Sequence, residues 1–339
     1  MKYSLLGRTG VRVSKLCLGT FPFGVAPLEE DVPALVHHAL DVGINFFDTS
    51  NSYGNQPRFD RPGAPPAAQR KSAEELLGKA LKGHRHEVVI SSKVQEKVGD
   101  GPNDGGPTGG GLTRYHIMRQ VEESLRRLGT DHLDVYHMHH PDPTTPLEES
   151  LRAFDELVRQ GKILYPALST FPAWQMTEAM GICKEMGWSA PVCNQLPYNL
   201  IRRNIEQETV PACLHFGLTI NCFTPVAQGV LSDSTTMTRP YGGVRRMAGR
   251  TGPSFSPAEV AINERLNKLA RDWGHSAVQL ALSWLITRPA ISAAIIGAET
   301  PEEIDADAPA ADITLTSDQV KQLEAIVIAD GGQPQAAAR

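Results

Sequence analysis

Short apolar or β-branched runs alternate along the chain with longer stretches whose apolar positions recur every three or four residues. The runs are KLCLG (15–19), INFFD (44–48), VVISSK (88–93), DVYHMH (134–139), ILYPALS (163–169), VCNQ (192–195), TINCF (219–223) and AAIIG (293–297). Each has the length and composition of a buried strand. Between them, EEDVPALVHHALDVG (29–43), RYHIMRQVEESLRRLG (114–129), PLEESLRAFDELVRQG (146–161) and SAVQLALSWLITR (276–288) carry helical spacing. Several close on glycine, which takes the left-handed backbone that ends a helix. Repeated strand–helix units with no second regime of composition predict an α/β fold, one closed (β/α)8 barrel of the TIM type. The barrel is expected over 1–330, with a last helix near 317–329 and a flexible C-terminal tail at 331–339. The opening YSLLGRTGVRVS reads as an N-terminal β-hairpin turning at Thr9-Gly10 and closing the bottom of the barrel.

Composition narrows the function. The 339 residues are 41% hydrophobic with a net charge of −5, and the basic residues are scattered, so neither nucleic acid nor a membrane surface is expected as a partner. The opening MKYSLLGRTGVRV turns polar too soon for a signal peptide, and no apolar run is long enough to span a bilayer. Cys17, Cys183, Cys193, Cys213 and Cys222 form no CxxC pair, which fits a reducing, cytoplasmic compartment. Cys17, Cys193 and Cys222 sit in strand-like runs and read as small buried hydrophobes. Three connections, 54–70, 95–112 and 228–257, are longer than a barrel needs. All follow the C-terminal end of a strand, the face where barrel enzymes place their chemistry, and are expected to act as lids.

Polar residues gather at those strand ends. The second strand ends in Asp48 with Tyr53 five positions on, the third in Lys93, and the fourth in His139. In a barrel these side chains converge on one mouth and make a proton-delivery device. Tyrosine is a weak acid with an ordinary pKa near 10, and a neighbouring ammonium lowers it. Asp48 is expected to hold Lys93, His139 to orient a substrate oxygen, and Tyr53 to give the proton. The mouth is expected to be lined by Phe21, Phe23, His140 and Trp174, with Phe59 and Tyr241 as further candidates.

Over nearly its whole length the chain resembles an aldo-keto reductase. The likeness is carried by LGRTGVRVSKLCLGT (6–20), GINFFDTSNSYG (43–54), VVISSKV (88–94), SLRRLGTDHLDVYHMHHPD (124–142), GKILYPALST (161–170), NQLPYNL (194–200) and FTPVAQGVL (223–231). The resemblance implies reduction of an aldehyde or ketone, or the reverse oxidation, with NADP(H) or NAD(H) and no metal. It implies a tetrad of Asp48, Tyr53, Lys93 and His139. It also places Gly19, Thr20, Gly297 and Asp48 near the coenzyme, Ser169 and Gln195 on its carboxamide, and Phe223 against the nicotinamide. Thr224, Pro225, Val226, Gln228 and Gly229 would follow the pyrophosphate.

The departures from that family pattern bear on the coenzyme. Thr170 stands where Asn or Arg is usual, so an amide contact is lost or replaced. Beyond the eighth strand, GAETPEEIDAD puts Glu299, Glu303 and Asp307 where NADP-using relatives carry groups that grip the 2′-phosphate. Carboxylates favour the ribose hydroxyl of NAD, whereas Arg239, Arg245, Arg246 and Arg250 offer a phosphate site, so both coenzymes stay open. Two other functions compete. One is a nucleotide-binding regulatory subunit with residual activity. The other is a metal-dependent barrel hydrolase using His137 and His139, for which strands five to eight supply no further ligand set. No oligomeric state is read from the sequence.

Overall fold

A computed structural model describes residues 1–60, 63–106, 109–234 and 255–328. The hairpin forms first: β1 (Tyr3–Leu5) pairs antiparallel with β2 (Arg12–Ser14). Barrel strands and helices then alternate, from β3 (Leu16–Gly19), α1 (Val32–Asp41) and β4 (Phe46–Asp48) to α2 (Ala73–Ala80) and β5 (Val89–Val94). There follow α3 (Arg114–Leu128), β6 (Leu133–Met138), α4 (Leu147–Arg159), β7 (Ile163–Ser169), α5 (Ala173–Met186) and β8 (Cys193–Pro197). The described chain ends with α6 (Thr209–Phe216), β9 (Thr219–Phe223), α7 (Pro257–Trp273), α8 (Ala277–Ile286), β10 (Ile291–Ile296), α9 (Pro301–Asp307) and α10 (Ser317–Ile328). Strands β3 to β10 are parallel in sequence order, and β10 pairs with β3 to close the barrel. The expected tail, 331–339, lies outside the described residues.

Local chemistry sets these elements. Ser72, Thr113 and Ser276 each accept a backbone N–H at the start of α2, α3 and α8, satisfying donors that the first turn leaves open. Helix α3 ends on Gly129 at φ 64°, as its sequence predicts. The expected helix at 29–43 is shorter, beginning at Val32, and residues 29–31 lead into it.

Two cores result. The larger fills the space between strands and helices. The smaller lies inside the barrel, where Cys17, Phe46, Val89, Val135, Ala167, Cys193 and Ala293 meet Leu6 and Val13 of the hairpin segment. The hairpin therefore plugs the end at which the strands begin, as expected. Gly7 makes this possible: its amide donates to Thr219 Oγ1 at 3.0 Å, and a Cβ there would stand 2.5 Å from Val192 O. The connection at 95–112 is knitted around Asp104, whose carboxylate accepts from Gly101 N at 2.8 Å and Arg119 Nη2 at 2.5 Å. Among the described residues no helix is long and apolar enough to cross a membrane.

Candidate active site

Parallel pairing puts Asp48 level with Gly19 on one side and Ser91 on the other, while Lys93 is level with His137. The strand ends thus bring their polar residues to one mouth. Asp48 Oδ2 accepts from the Lys93 ammonium at 2.5 Å. Its Oδ1 accepts from the Ser91 hydroxyl at 2.6 Å and from Gln195 Nε2 at 2.8 Å. Lys93 is fully buried and also donates to Thr49 O at 2.7 Å. Burial by itself lowers the Lys93 pKa, but the Asp48 carboxylate and the Tyr53 oxygen outweigh it, so the ammonium is held above its ordinary value.

Tyr53 lies in the loop between β4 and α2, with Lys93 Nζ 4.9 Å from its ring centre. Phe21 meets the ring edge-on at 4.8 Å, and the hydroxyl stands 3.5 Å from His139 Nε2. The neighbouring ammonium alone would lower the pKa of this phenol, as the sequence predicts. The structure reverses the sign: burial is the larger effect and raises the pKa, Lys93 opposes it only in part, and Asp48 adds to the rise. Tyr53 is therefore held as the neutral phenol, the form that gives a proton. His139 follows the last residue of β6, and its backbone N–H donates to Val94 O at 2.9 Å. Burial first, then the Lys93 charge, drives its pKa well below the ordinary histidine value, so the ring is a neutral imidazole.

Further polar groups bond to one another across the rim. Arg58 Nη1 pairs with Glu96 Oε2 at 3.0 Å, and Glu96 Oε1 lies 3.1 Å from His140 Nε2. His140 Nδ1 lies 2.8 Å from Thr170 Oγ1, and the His140 ring stacks on His139 with centres 4.5 Å apart. Thr170 has φ 58°, a strained choice for a β-branched residue that its bonds at the mouth hold in place. So Thr170, where an amide contact to coenzyme was in doubt, is tied to His140. Gln95, Thr224, Ala227 and Gln228 share the unusual sign of φ. All four lie beyond the C-terminal ends of strands.

The other expected contacts fall into place unevenly. Thr20 and Ser169 are buried at the ends of β3 and β7, and Phe223 is half-buried at the end of β9. Thr224, Pro225, Val226, Gln228 and Gly229 form one compact turn. Gly297 follows β10, and a Cβ there would meet nothing within 4 Å. The Gln195 amide nitrogen, expected at the carboxamide, is spent on Asp48. Glu303 Oε2 accepts from Glu299 N at 2.9 Å at the start of α9, and Asp307 ends that helix. Phe23 is wholly buried in the core, so it backs the wall and offers a substrate no surface. Trp174 is exposed at the start of α5. Tyr241, Arg239, Arg245, Arg246 and Arg250 lie outside the described residues.

The HMHH run does not form a paired metal ligand set among the described residues. His137 Nδ1 lies 3.2 Å from Leu168 O inside the barrel, away from His139's partners. Glu96, His139 and His140 do bring ligand atoms within 4.8 Å of one another. Yet Arg58 occupies the carboxylate, and the two imidazole planes differ by only 9°, so their in-plane lone pairs run side by side instead of converging.

Four contributors escaped the sequence reading: Ser91, Arg58, Glu96 and Ser50, whose Oγ lies 3.5 Å from His139 Nδ1. Ser91 was findable, because it stands two residues before Lys93 and strand side chains alternate. Arg58 and Glu96 come from two different long loops, and only the fold brings them together.

The Aldo/keto reductase family model matches residues 15–328. The chain is 35% identical over 98% of its length, and 98% of the relative's, to the uncharacterized oxidoreductase YrpG of Bacillus subtilis. It is 33% identical to a probable voltage-gated potassium channel subunit beta of Oryza sativa, covering 96% of this chain and 97% of that one. Versiconal hemiacetal acetate reductase of Aspergillus parasiticus is 32% identical, with 96% of each chain covered.

Proposed function

The chain belongs to the Aldo/keto reductase family, and from its site we propose that residues 1–330 form one catalytic unit moving hydride between a nicotinamide dinucleotide and a carbonyl or alcohol. The observation that carries this reading is the Tyr53 hydroxyl 3.5 Å from His139 Nε2, with its ring centre 4.9 Å from a buried Lys93 ammonium that pairs with Asp48. When bound, the dinucleotide supplies or accepts the hydride. Several features fit such a group. The hydroxyls of Thr20 and Thr49 are buried without a partner among the described residues. Gly297, just past β10, leaves open space where a Cβ would stand. The left-handed turn at 224–229 has the backbone from which anion-binding concavities are made.

In reduction, His139 Nε2 and the Tyr53 hydroxyl hold the substrate oxygen between them. Tyr53 donates its proton as negative charge develops there, and the Lys93 ammonium stabilises the phenolate that remains. Asp48 keeps Lys93 charged and placed, and Gln195 and Ser91 fix the carboxylate. In oxidation the same groups act in reverse. Phe21 offers an apolar wall, while Arg58, Glu96 and His140 give a polar rim. That suits carbonyls with an apolar body and hydrogen-bonding substituents. The five cysteines are buried free thiols, in keeping with a cytoplasmic setting.

Tyr53→Phe tests the assignment, since it removes the proton donor and keeps the ring. The chemical step should fall at least about a hundredfold, with coenzyme Kd unchanged. Near-normal turnover on a good substrate would overturn it. A second reading, a nucleotide-binding subunit with residual activity, draws on the likeness to the rice channel subunit. The two separate on wild-type kcat/KM toward simple aldehydes. Coenzyme binding with no turnover across a broad carbonyl screen favours the subunit.

A further inference from the structure

A proton donor misplaced by about an ångström can lose about a hundredfold in rate, so the loop carrying Tyr53 must be fixed. Its carbonyls are held one after another. Lys93 Nζ binds Thr49 O at 2.7 Å, Arg127 Nη1 reaches Asn51 O at 3.3 Å, and Arg58 Nη2 reaches Ser52 O at 3.3 Å. Ala73 N binds Tyr53 O at 3.0 Å, and Arg70 Nε binds Gly54 O at 2.8 Å.

Arg127 differs from the others because it comes from the last turn of α3, outside the barrel wall. Its guanidinium also meets Glu74 Oε2 at 3.1 Å. Glu74, in the first turn of α2, has no exposed side-chain surface, and its other oxygen accepts from Ser92 Oγ at 2.6 Å. Asn51 is held a second time from α3, where its Nδ2 donates to Gln120 Oε1 at 3.1 Å. A carboxylate buried this deeply costs stability unless it is paired well, and hydrophobic residues of similar size often do better. Neither Glu74 nor Arg127 touches the tetrad, so the pair's place in the active site is through the loop.

We propose that the Glu74–Arg127 ion pair is a positioning device for Tyr53. The carboxylate orients the guanidinium, and the guanidinium fixes Asn51 O two residues before the proton donor. The inference rests on Tyr53 being that donor. Arg127 also lines a cavity of about 550 Å³ between α2 and α3, together with Lys71, Lys79, Lys82, Arg85 and Arg126.

The test is steady-state and single-turnover kinetics of the coenzyme-loaded enzyme in three variants: Arg127→Ala, Arg127→Lys and Glu74→Gln. Arg127→Ala should lose about ten- to a hundredfold in the chemical step while substrate KM and coenzyme Kd stay near wild type. Arg127→Lys should recover part of that loss, because Nη1 alone makes both contacts and a lysine brings one nitrogen toward that place on a shorter side chain. A folded Arg127→Ala with wild-type turnover overturns the proposal. So does a slow one whose substrate KM and coenzyme Kd worsen along with kcat, since that marks a merely structural role. If Arg127→Ala does not fold, Glu74→Gln decides, as it keeps size and one acceptor. A several-fold drop in kcat at unchanged KM supports the device, and unchanged kcat overturns it. Tyr53→Phe is run alongside. Wild-type turnover there would defeat the proton-donor assignment, whereas a slow Tyr53→Phe with a fast Arg127→Ala defeats only the positioning role.

Discussion

At the scale of single residues, the site works by assigning charge. Lys93 is buried yet charged because Asp48 shares its burial, while Tyr53 and His139 are buried and neutral because desolvation dominates both. This fixes a pH profile. For reduction, kcat/KM should show no limb near the ordinary histidine pKa of about 6.5, and should fall only above about pH 10 as the raised phenol ionises. Rates of the free enzyme between pH 5 and 10.5 give the answer, and a limb near 6.5 would show that His139 is not buried as a neutral ring. His137 carries a separate consequence for stability. Burial first, then Lys93, lowers its pKa to about 4, and its Nε2 has no partner among the described residues. The unfolded chain therefore binds this proton more readily. The stabilisation is complete above about pH 6.5 and is lost as pH falls toward 4, reaching about 2.5 kcal/mol by pH 4.5. His137→Asn, which keeps an acceptor or donor at the Nδ1 place, should remove that share. Urea midpoints at pH 7 and 4.5 for both proteins measure it, and equal acid losses would refute the assignment.

At the scale of elements, legibility depended on whether a residue's partner lay within one periodic segment. Strand alternation placed Asp48, Lys93 and His139 at one mouth from spacing alone, and the hairpin, all eight strands and the last helix were readable from hydrophobic pattern. The Glu74–Arg127 pair was not, because its partners sit on α2 and α3 and nothing local marks Glu74 as buried. Nor was the sign of the Tyr53 shift, since the ammonium was visible in the sequence and the depth of burial was not. Helix α9 shows the same limit for the coenzyme. Its start offers a positive end, but Thr300 Oγ1 accepts from Glu303 N at 3.4 Å, and Glu303 folds back on Glu299 N. On the resemblance that puts the coenzyme's 2′-phosphate beside this helix, we propose that the chain's own carboxylates stand where it would need donors. NADH should be at least comparable to NADPH. Glu299→Arg should move the preference toward NADPH by about ten- to a hundredfold, in line with roughly 1–4 kcal/mol for two nearby charges. The comparison is kcat/KM for both coenzymes at fixed ionic strength, because screening alters it. A wild type preferring NADPH by about a hundredfold would turn attention to Arg245 and Arg246.

At the scale of the whole molecule, the barrel divides its labour between two ends. The C-terminal mouth holds the strained backbone at Gln95, Thr170, Thr224, Ala227 and Gln228, the buried ion pair and the orphaned Thr20 and Thr49 hydroxyls, all of which cost stability, while Ala290 carries a positive φ at the other end. The opposite end offsets this with apolar closure: Leu6 and Val13 are fully buried against the inward side chains of the strands, and Ser4 Oγ donates to Ser292 O at 2.6 Å. If the division is real, damage at the plug should appear in stability and not in chemistry. Leu6→Ala removes a fully buried side chain from the inner core and should cost about 2–5 kcal/mol, depending on how far the hairpin settles into the gap. The folded fraction should keep the wild-type kcat and coenzyme Kd, because the tetrad hangs from the far ends of the strands and is fixed there by Gln195, Ser91 and the loop carbonyls. Tyr53→Phe should show the reverse, losing rate with little change in the urea midpoint. Measuring both quantities for both variants at one temperature tests the division. A Leu6→Ala protein that unfolds like wild type would mean the hairpin lies over the barrel without sealing it. One that is destabilised and also slow, per folded molecule, would mean that the inner core transmits its packing to the mouth.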